Sequence, residues 1–181
     1  VTVDGAQVND PARRVDVRRA RIEVDGQPVR AQKRTYLMMH KPRGYVTTTA
    51  DDLGRTTVFD LLPPRTPRVN AVGRLDMESE GLLLFTNDTR WADRILDPAT
   101  HVDKIYEVQL AHPPERADLE RAVAGVEAGR SETLRFKSAI GSARGDEWIT
   151  VVLDEGRNRQ VRRVLEALGC QGLRLFRVRV G

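Results

Sequence analysis

Four large apolar residues in succession, Leu82 to Phe85, stand between Gly81 and the polar pair Asn87-Asp88. A run this short and this apolar, bounded by turn-forming residues, reads as a fully buried strand. The polar stretch just before it carries Asp76, with Glu78 and Glu80 close behind. A carboxylate a few residues ahead of a buried strand is anchored on a rigid element, as a catalytic group must be.

Short strand patterns dominate the rest of the chain. Val1-Thr2-Val3 and Ala6-Gln7-Val8 flank Asp4-Gly5, a two-residue hairpin signal, and a second such unit surrounds Asp25-Gly26. Residues 31–34 read as a linker. Further strands are expected at 36–39, 45–49, 105–110 and 148–153, and 177–181 keeps a strand pattern. Pro42 and Gly44 make His40-Lys41-Pro42-Arg43-Gly44 a turn. Val58 to Leu62 is a short apolar stretch stopped by Pro63-Pro64. Helices are expected at about 90–96, behind the capping residues Asn87-Asp88-Thr89, and after Pro113-Pro114-Glu115, where Leu119, Ala122, Val123 and Val126 form an apolar face. A last helix spans about 158–168 and stops at Gly169. Strands outnumber helices and hairpin turns recur, which predicts an α+β domain with a largely antiparallel sheet.

The composition is that of a globular chain, 40% hydrophobic and 31% charged, and no apolar run reaches the ~20 residues of a membrane helix. Cys170 stands alone, which excludes an intrachain disulfide and points to a reducing compartment, the cytoplasm. The formal charge is +4, but its distribution says more: seven arginines against one acid lie between Gly156 and Gly181, and five against one between Arg13 and Arg21. Such clusters suit a polyanion, nucleic acid being the usual one, or a solvated surface. His40, His101 and His112 show no metal-ligand spacing, and phosphate-loop, dinucleotide and nucleophile-elbow motifs are absent. The chemistry therefore falls to the carboxylates, with no metal or cofactor expected. Glu78 and Glu80 are read as solvated loop charges.

The run from Gly73 to Asp88, Gly-Arg-Leu-Asp followed by Ser79-Glu80-Gly81-Leu82-Leu83 and Thr86-Asn87-Asp88, resembles the signature of pseudouridine synthases of the RsuA/RluB type. Three further segments agree in order: His40-Lys41-Pro42-Arg43-Gly44, Lys104-Ile105-Tyr106, and Glu155 to Arg163. The resemblance spans about Lys33 to Gly181. It implies two halves of mixed sheet and helix around a central cleft, with Asp76 as nucleophile or base, Tyr106 as the tyrosine that stacks on the target base, and a late basic residue as partner of Asp76. The first segment resembles the second half of an S-four type RNA-binding module. The expected organisation is thus residues 1–31 as a partial S-four-like segment and linker and 32–181 as the catalytic domain, with sequence expected beyond both ends.

Helical periodicity selects among the late arginines. Val161, Val164, Leu165 and Leu168 form one stripe, Arg159 and Arg163 point away from it, and Arg162 lies at its edge. An edge position lets a long side chain enter a cleft, so Arg162 is the expected partner of Asp76. Tyr106 is also readable as a core residue of an alternating strand. Arg74 is assigned to the space left by the extruded base or to phosphate, the alternative being a salt bridge with Glu78 or Glu80. Lys41, Arg43, Arg157, Arg159 and Arg163 are the further expected RNA contacts. The resulting expectation is cofactor-free isomerisation of uridine in ribosomal RNA, with no membrane partner. The alternatives are a noncatalytic RNA-binding or ribosome-assembly module, and a nucleoside hydrolase using Asp76 and Glu78.

Overall fold

The computed structural model describes residues 1–17, 19–29, 33–129 and 132–181. The chain divides into two compact units, Val1–Arg34 and Thr35–Gly181. Part of the expected linker, residues 31 and 32, lies outside the described residues.

The first unit is a four-stranded antiparallel sheet in the order β2-β1-β3-β4, made of β1 (Thr2–Val3), β2 (Ala6–Gln7), β3 (Ile22–Val24) and β4 (Gln27–Pro28). Both Asp-Gly pairs form the expected turns. Asp4 and Asp25 have φ of 51°, followed by Gly5 at 81° and Gly26 at 76°. Positive φ at both central positions gives a turn whose twist matches its strands. The two hairpins join through β1 and β3, with Thr2 opposite Glu23.

The second unit is built on a seven-stranded mixed sheet. Its elements are β5 (Tyr36–Lys41), β6 (Asn70–Val72), β7 (Glu80–Thr86), α1 (Thr89–Leu96), β8 (Lys104–Leu110), α2 (Arg116–Ala124), β9 (Val126–Glu127), β10 (Thr133–Leu134), β11 (Ser138–Gly141), β12 (Trp148–Leu153), α3 (Gln160–Ala167) and β13 (Gly172–Val180). β9 and β10 form a separate two-stranded ladder. The large sheet runs β11-β12-β8-β13-β7-β5, with β6 also on β7. All its pairings are antiparallel except β13 with β7. β13 thus joins a half containing β5, β6 and β7 to a half containing β8, β11 and β12. One apolar cluster, including Val58, Leu83 and Phe85, belongs to the first half, and another, including Val108, Ile149 and Val164, to the second. Tyr106 packs against both.

The apolar run is a strand, but only Leu83 and Phe85 are fully buried, while Leu82 and Leu84 are half-buried. Side chains alternate across a sheet, so one face of β7 enters the core and the other does not. One expected strand is absent, and the short apolar stretch takes a form of its own. Residues 45–49 form no strand, and Val46 makes a single parallel bridge to Thr57. Val58–Leu61 is a 3-10 turn closed by Thr57 and Asp60. In the second helix the apolar face is shorter than expected, because the helix ends at Ala124 and Val126 begins β9.

Candidate active site

β6 ends at Val72 and β7 begins at Glu80, so the segment between them is a tight connection bearing Asp76. Gly73 opens it at φ +77°, where a Cβ would press on Leu96. Leu75 is buried and anchors the loop in the core. Thr47 holds it from outside: its Oγ1 donates to the Leu75 carbonyl at 2.8 Å and accepts from the Leu75 amide at 3.3 Å. The Gly44 amide donates to the Met77 carbonyl at 2.8 Å.

Lys41 completes this clamp and corrects an expectation. It is wholly buried, and its ammonium donates to the carbonyls of Pro42 (3.0 Å), Met77 (3.3 Å) and Ser79 (2.8 Å). It is not placed to touch RNA. As the last residue of β5, opposite Gly81, it points under the loop. Burial pushes its pKa down to about 8, against the opposing pull of the Asp76 and Glu80 carboxylates.

Asp76 lines a cavity of about 320 Å³ together with Tyr106, Lys104, Arg177, Leu153 and Arg159. Its Oδ2 lies 3.7 Å from Nη1 of Arg159, and about a third of its side chain remains accessible. Tyr106 sits on β8 between Val151 of β12 and Arg177 of β13. Asp76 and Tyr106 thus share one cavity, the first from a loop and the second from the sheet.

The ion-pair partner of Asp76 is Arg159 rather than the expected Arg162. The helical wheel misjudged Arg159 because that residue is not in the helix. It precedes Gln160 with φ 50° and ψ 30°, a left-handed conformation, and the turn sets its direction. Arg162 still reaches the same loop, donating through Nη2 to the Glu78 carbonyl at 3.3 Å. Arg157 and Arg163 converge on Glu132, at 2.8 and 2.6 Å, and Arg157 also meets Glu155 at 3.0 Å. Their charge is largely neutralised within the protein, unlike that of an open phosphate site. Arg43 and Arg74 are exposed, and Arg74 lies on the cavity wall. Glu80 is not a solvated loop charge: it is 8% exposed and pairs with Arg174 at 3.2 Å.

Arg177 escaped the sequence reading. It is 5% exposed, its Nε donates to the Leu82 carbonyl at 2.8 Å, and its Nη1 lies 3.5 Å from the Arg74 carbonyl. It therefore ties both stems of the Asp76 loop together. The signal available was its two-residue offset from apolar Leu175, which puts both on one face of the last strand.

The family model for RNA pseudouridylate synthase matches residues 35–167. The chain is 40% identical to the ribosomal large subunit pseudouridine synthase B of Pasteurella multocida, over all of this chain and 54% of the relative. It is 33% identical to the protein of the same name from Bacillus subtilis, over 86% of this chain and 65% of the relative. The chain thus spans between half and two thirds of the length of these curated relatives. A solved structure described as a pseudouridylate synthase superposes with a TM-score of 0.74 at 27% identity, covering 99% of this chain and 77% of the other. The matched segment contains the Asp76 loop, Tyr106 and the arginines of α3, and on this ground the chain belongs to the RNA pseudouridylate synthase family.

Proposed function

We propose that this chain isomerises a uridine of ribosomal RNA to pseudouridine, without a cofactor, using Asp76 as the nucleophile or base. The observation that carries the reading is the placement of a tethered carboxylate and a tyrosine in one cavity, with a guanidinium 3.7 Å from the carboxylate. The reacting atoms of a stacked base are inaccessible, so the target nucleotide must be extruded into the cavity. The Tyr106 ring offers a stacking face for it. Asp76 acts at the sugar, the bond from C1′ to N1 breaks, the ring turns, and C5 bonds to C1′. Loss of the C5 proton and protonation of N1 complete an isomerisation that imports no atoms.

The names of the relatives favour RNA of the large ribosomal subunit as substrate. We assign the first unit to RNA binding, as the trailing half of an S-four type module, on the strength of its paired hairpins and the basic residues Arg13, Arg14, Arg19 and Arg21. Exposed Arg43 and Arg74 are the remaining candidates for phosphate contacts, which position RNA without reading its sequence.

The experiment is release of tritium from large-subunit RNA labelled at C5 of uracil. The wild-type chain releases label, and Asp76→Asn releases none while still binding the RNA. Equal release by both proteins removes Asp76 from the chemistry. Free uracil in the product identifies a hydrolase instead.

A further inference from the structure

The sheet face under the cavity carries two cations that make no ion pair among the described residues. Lys104 and Tyr106 are two residues apart on β8 and share a face, and Arg177 is paired with Tyr106 across β13. All three line the cavity that holds Asp76. Arg177 makes no ion pair among the described residues, although it is 95% buried by its 5% exposure, and its Nη2 has no hydrogen-bond partner. The Lys104 ammonium likewise makes no hydrogen bond or ion pair among the described residues. Burial, and after it Arg177, push the Lys104 pKa downward against the weaker opposing pull of the Asp154 and Asp103 carboxylates. A buried guanidinium without a carboxylate is costly unless something else supplies the negative charge. The carboxylate of Asp76 is engaged elsewhere, by Arg159.

We propose that Arg177 and Lys104 form an anion site for the detached uracil ring. This rests on the activity proposed above. When the C1′–N1 bond breaks, its electron pair stays with N1 and the ring leaves as an anion whose charge spreads over N1 and the two carbonyl oxygens. The electron deficiency at C1′ is met by Asp76. Donors fixed on the sheet beneath the ring meet that charge as it develops, and they require no reorganisation during the reaction. When C5 attacks C1′ the charge is consumed, and the ring is released from the cations. Both residues would thus touch the reacting base, Arg177 through Nη2 and Lys104 through Nζ.

The test compares two leaving groups. Large-subunit ribosomal RNA is transcribed with uridine or with 5-fluorouridine, and conversion of N- to C-glycoside is followed under single-turnover conditions. Fluorine withdraws electrons and stabilises the ring anion, so cleavage then depends less on the protein. After C5 attacks C1′ the fluorinated ring has no C5 proton to lose and is quenched by water at C6, so formation of the C-glycoside itself is the readout. Arg177→Met is expected to slow conversion of uridine about 10²-fold, and that of 5-fluorouridine by roughly tenfold less. Lys104→Met, which removes no hydrogen bond or ion pair among the described residues, should show the same inequality with a smaller loss, and Arg177→Lys should recover part of the rate. A fold-loss that is equal for the two RNAs overturns the anion site and leaves the activity standing. If Arg177→Met does not fold, equal losses in Lys104→Met overturn it alone. A wild-type chain that leaves both RNAs unchanged overturns the activity itself, and the anion site with it.

Discussion

Arg159 and Asp76 meet at 3.7 Å, the first from the turn that opens α3 and the second from the loop that opens β7. Both side chains keep a third or more of their surface accessible, so the pair contributes little to stability, under ~1 kcal/mol. Its effect should appear in turnover. Asp76→Asn is expected to lose activity by ~10³-fold or more. Arg159→Met should lose about 10²-fold with a melting temperature close to wild type. Arg162→Met should lose less, because its contact is to the Glu78 carbonyl and not to the carboxylate. The reverse ranking, measured in single turnover, would mean that bound RNA exchanges one guanidinium for the other on Asp76.

Lys41 offers a titration. Its amine is expected to titrate near pH 8, followed by the chemical shift of its Cε carbon. The Asp76 carboxylate opposes the downward shift, so Asp76→Asn should lower the midpoint further. Since the folded-state value lies below that of an unfolded lysine, the folded chain holds fewer protons than the unfolded one between about pH 8 and ~10.5. This group's contribution to stability therefore rises with pH across that window, and is least favourable below pH 8 where the buried amine must be charged. A matched urea series on wild type and Lys41→Met isolates that slope.

The same lysine is a structural clamp. Lys41→Met takes the side-chain donor from the carbonyls of Pro42, Met77 and Ser79, of which Met77 keeps the Gly44 amide, and the expected loss is ~2–4 kcal/mol in urea unfolding. Activity should fall further than folding does at temperatures where the variant remains native, because the loop carrying Asp76 loosens first.

Gly81 sits where β13 crosses closest to β7. A Cβ there would lie 2.2 Å from the Arg177 carbonyl oxygen, and φ is +104°. Neither the backbone neighbour nor the conformation can give way cheaply. Gly81→Ala is expected to destabilise by roughly 3 kcal/mol or more, read as a drop in thermal midpoint. A near-neutral substitution would mean that the two strands separate easily.

Glu132 neutralises Arg157 and Arg163. Glu132→Gln should leave Arg163 without a carboxylate among the described residues and Arg157 with Glu155 alone. RNA affinity is then expected to increase at low salt, and the dependence of log K on log salt to steepen by roughly 1–2. An unchanged slope would place both arginines away from the phosphates even when released.

The strand Glu80–Thr86, the start of α1 and the end of α3 were legible because local pattern governs them: an apolar run between turn residues, an aspartate cap accepting from the Trp91 amide at 3.3 Å, and a glycine after α3. The Asp76 loop was legible from its motif. The rest depended on contacts distant in sequence. Lys41 reads as surface in any local window, and only the carbonyls of residues 77 and 79 explain its burial. Residues 45–49 are rich in β-branched side chains like a strand, but Thr47 spends its hydroxyl on Leu75 and Val46 finds only Thr57. Asn70–Val72 was missed because three residues after a proline-rich stretch carry too little pattern, and β7 supplies their register. Arg159 was misassigned for a local reason, a left-handed backbone at a non-glycine residue, which periodicity does not detect.

The position of β13 also dictates an order of assembly. Asp76 is attached to one half of the sheet and Tyr106 to the other, and the strand between those halves is the latest in sequence. During synthesis the ribosome therefore exposes the acid, then the phenol, then the cations of α3, before the strand that joins their two halves in one sheet. A nascent chain short of Gly172–Val180 lacks Leu175, Arg177 and Val180, and with them part of the wall that would receive an RNA base.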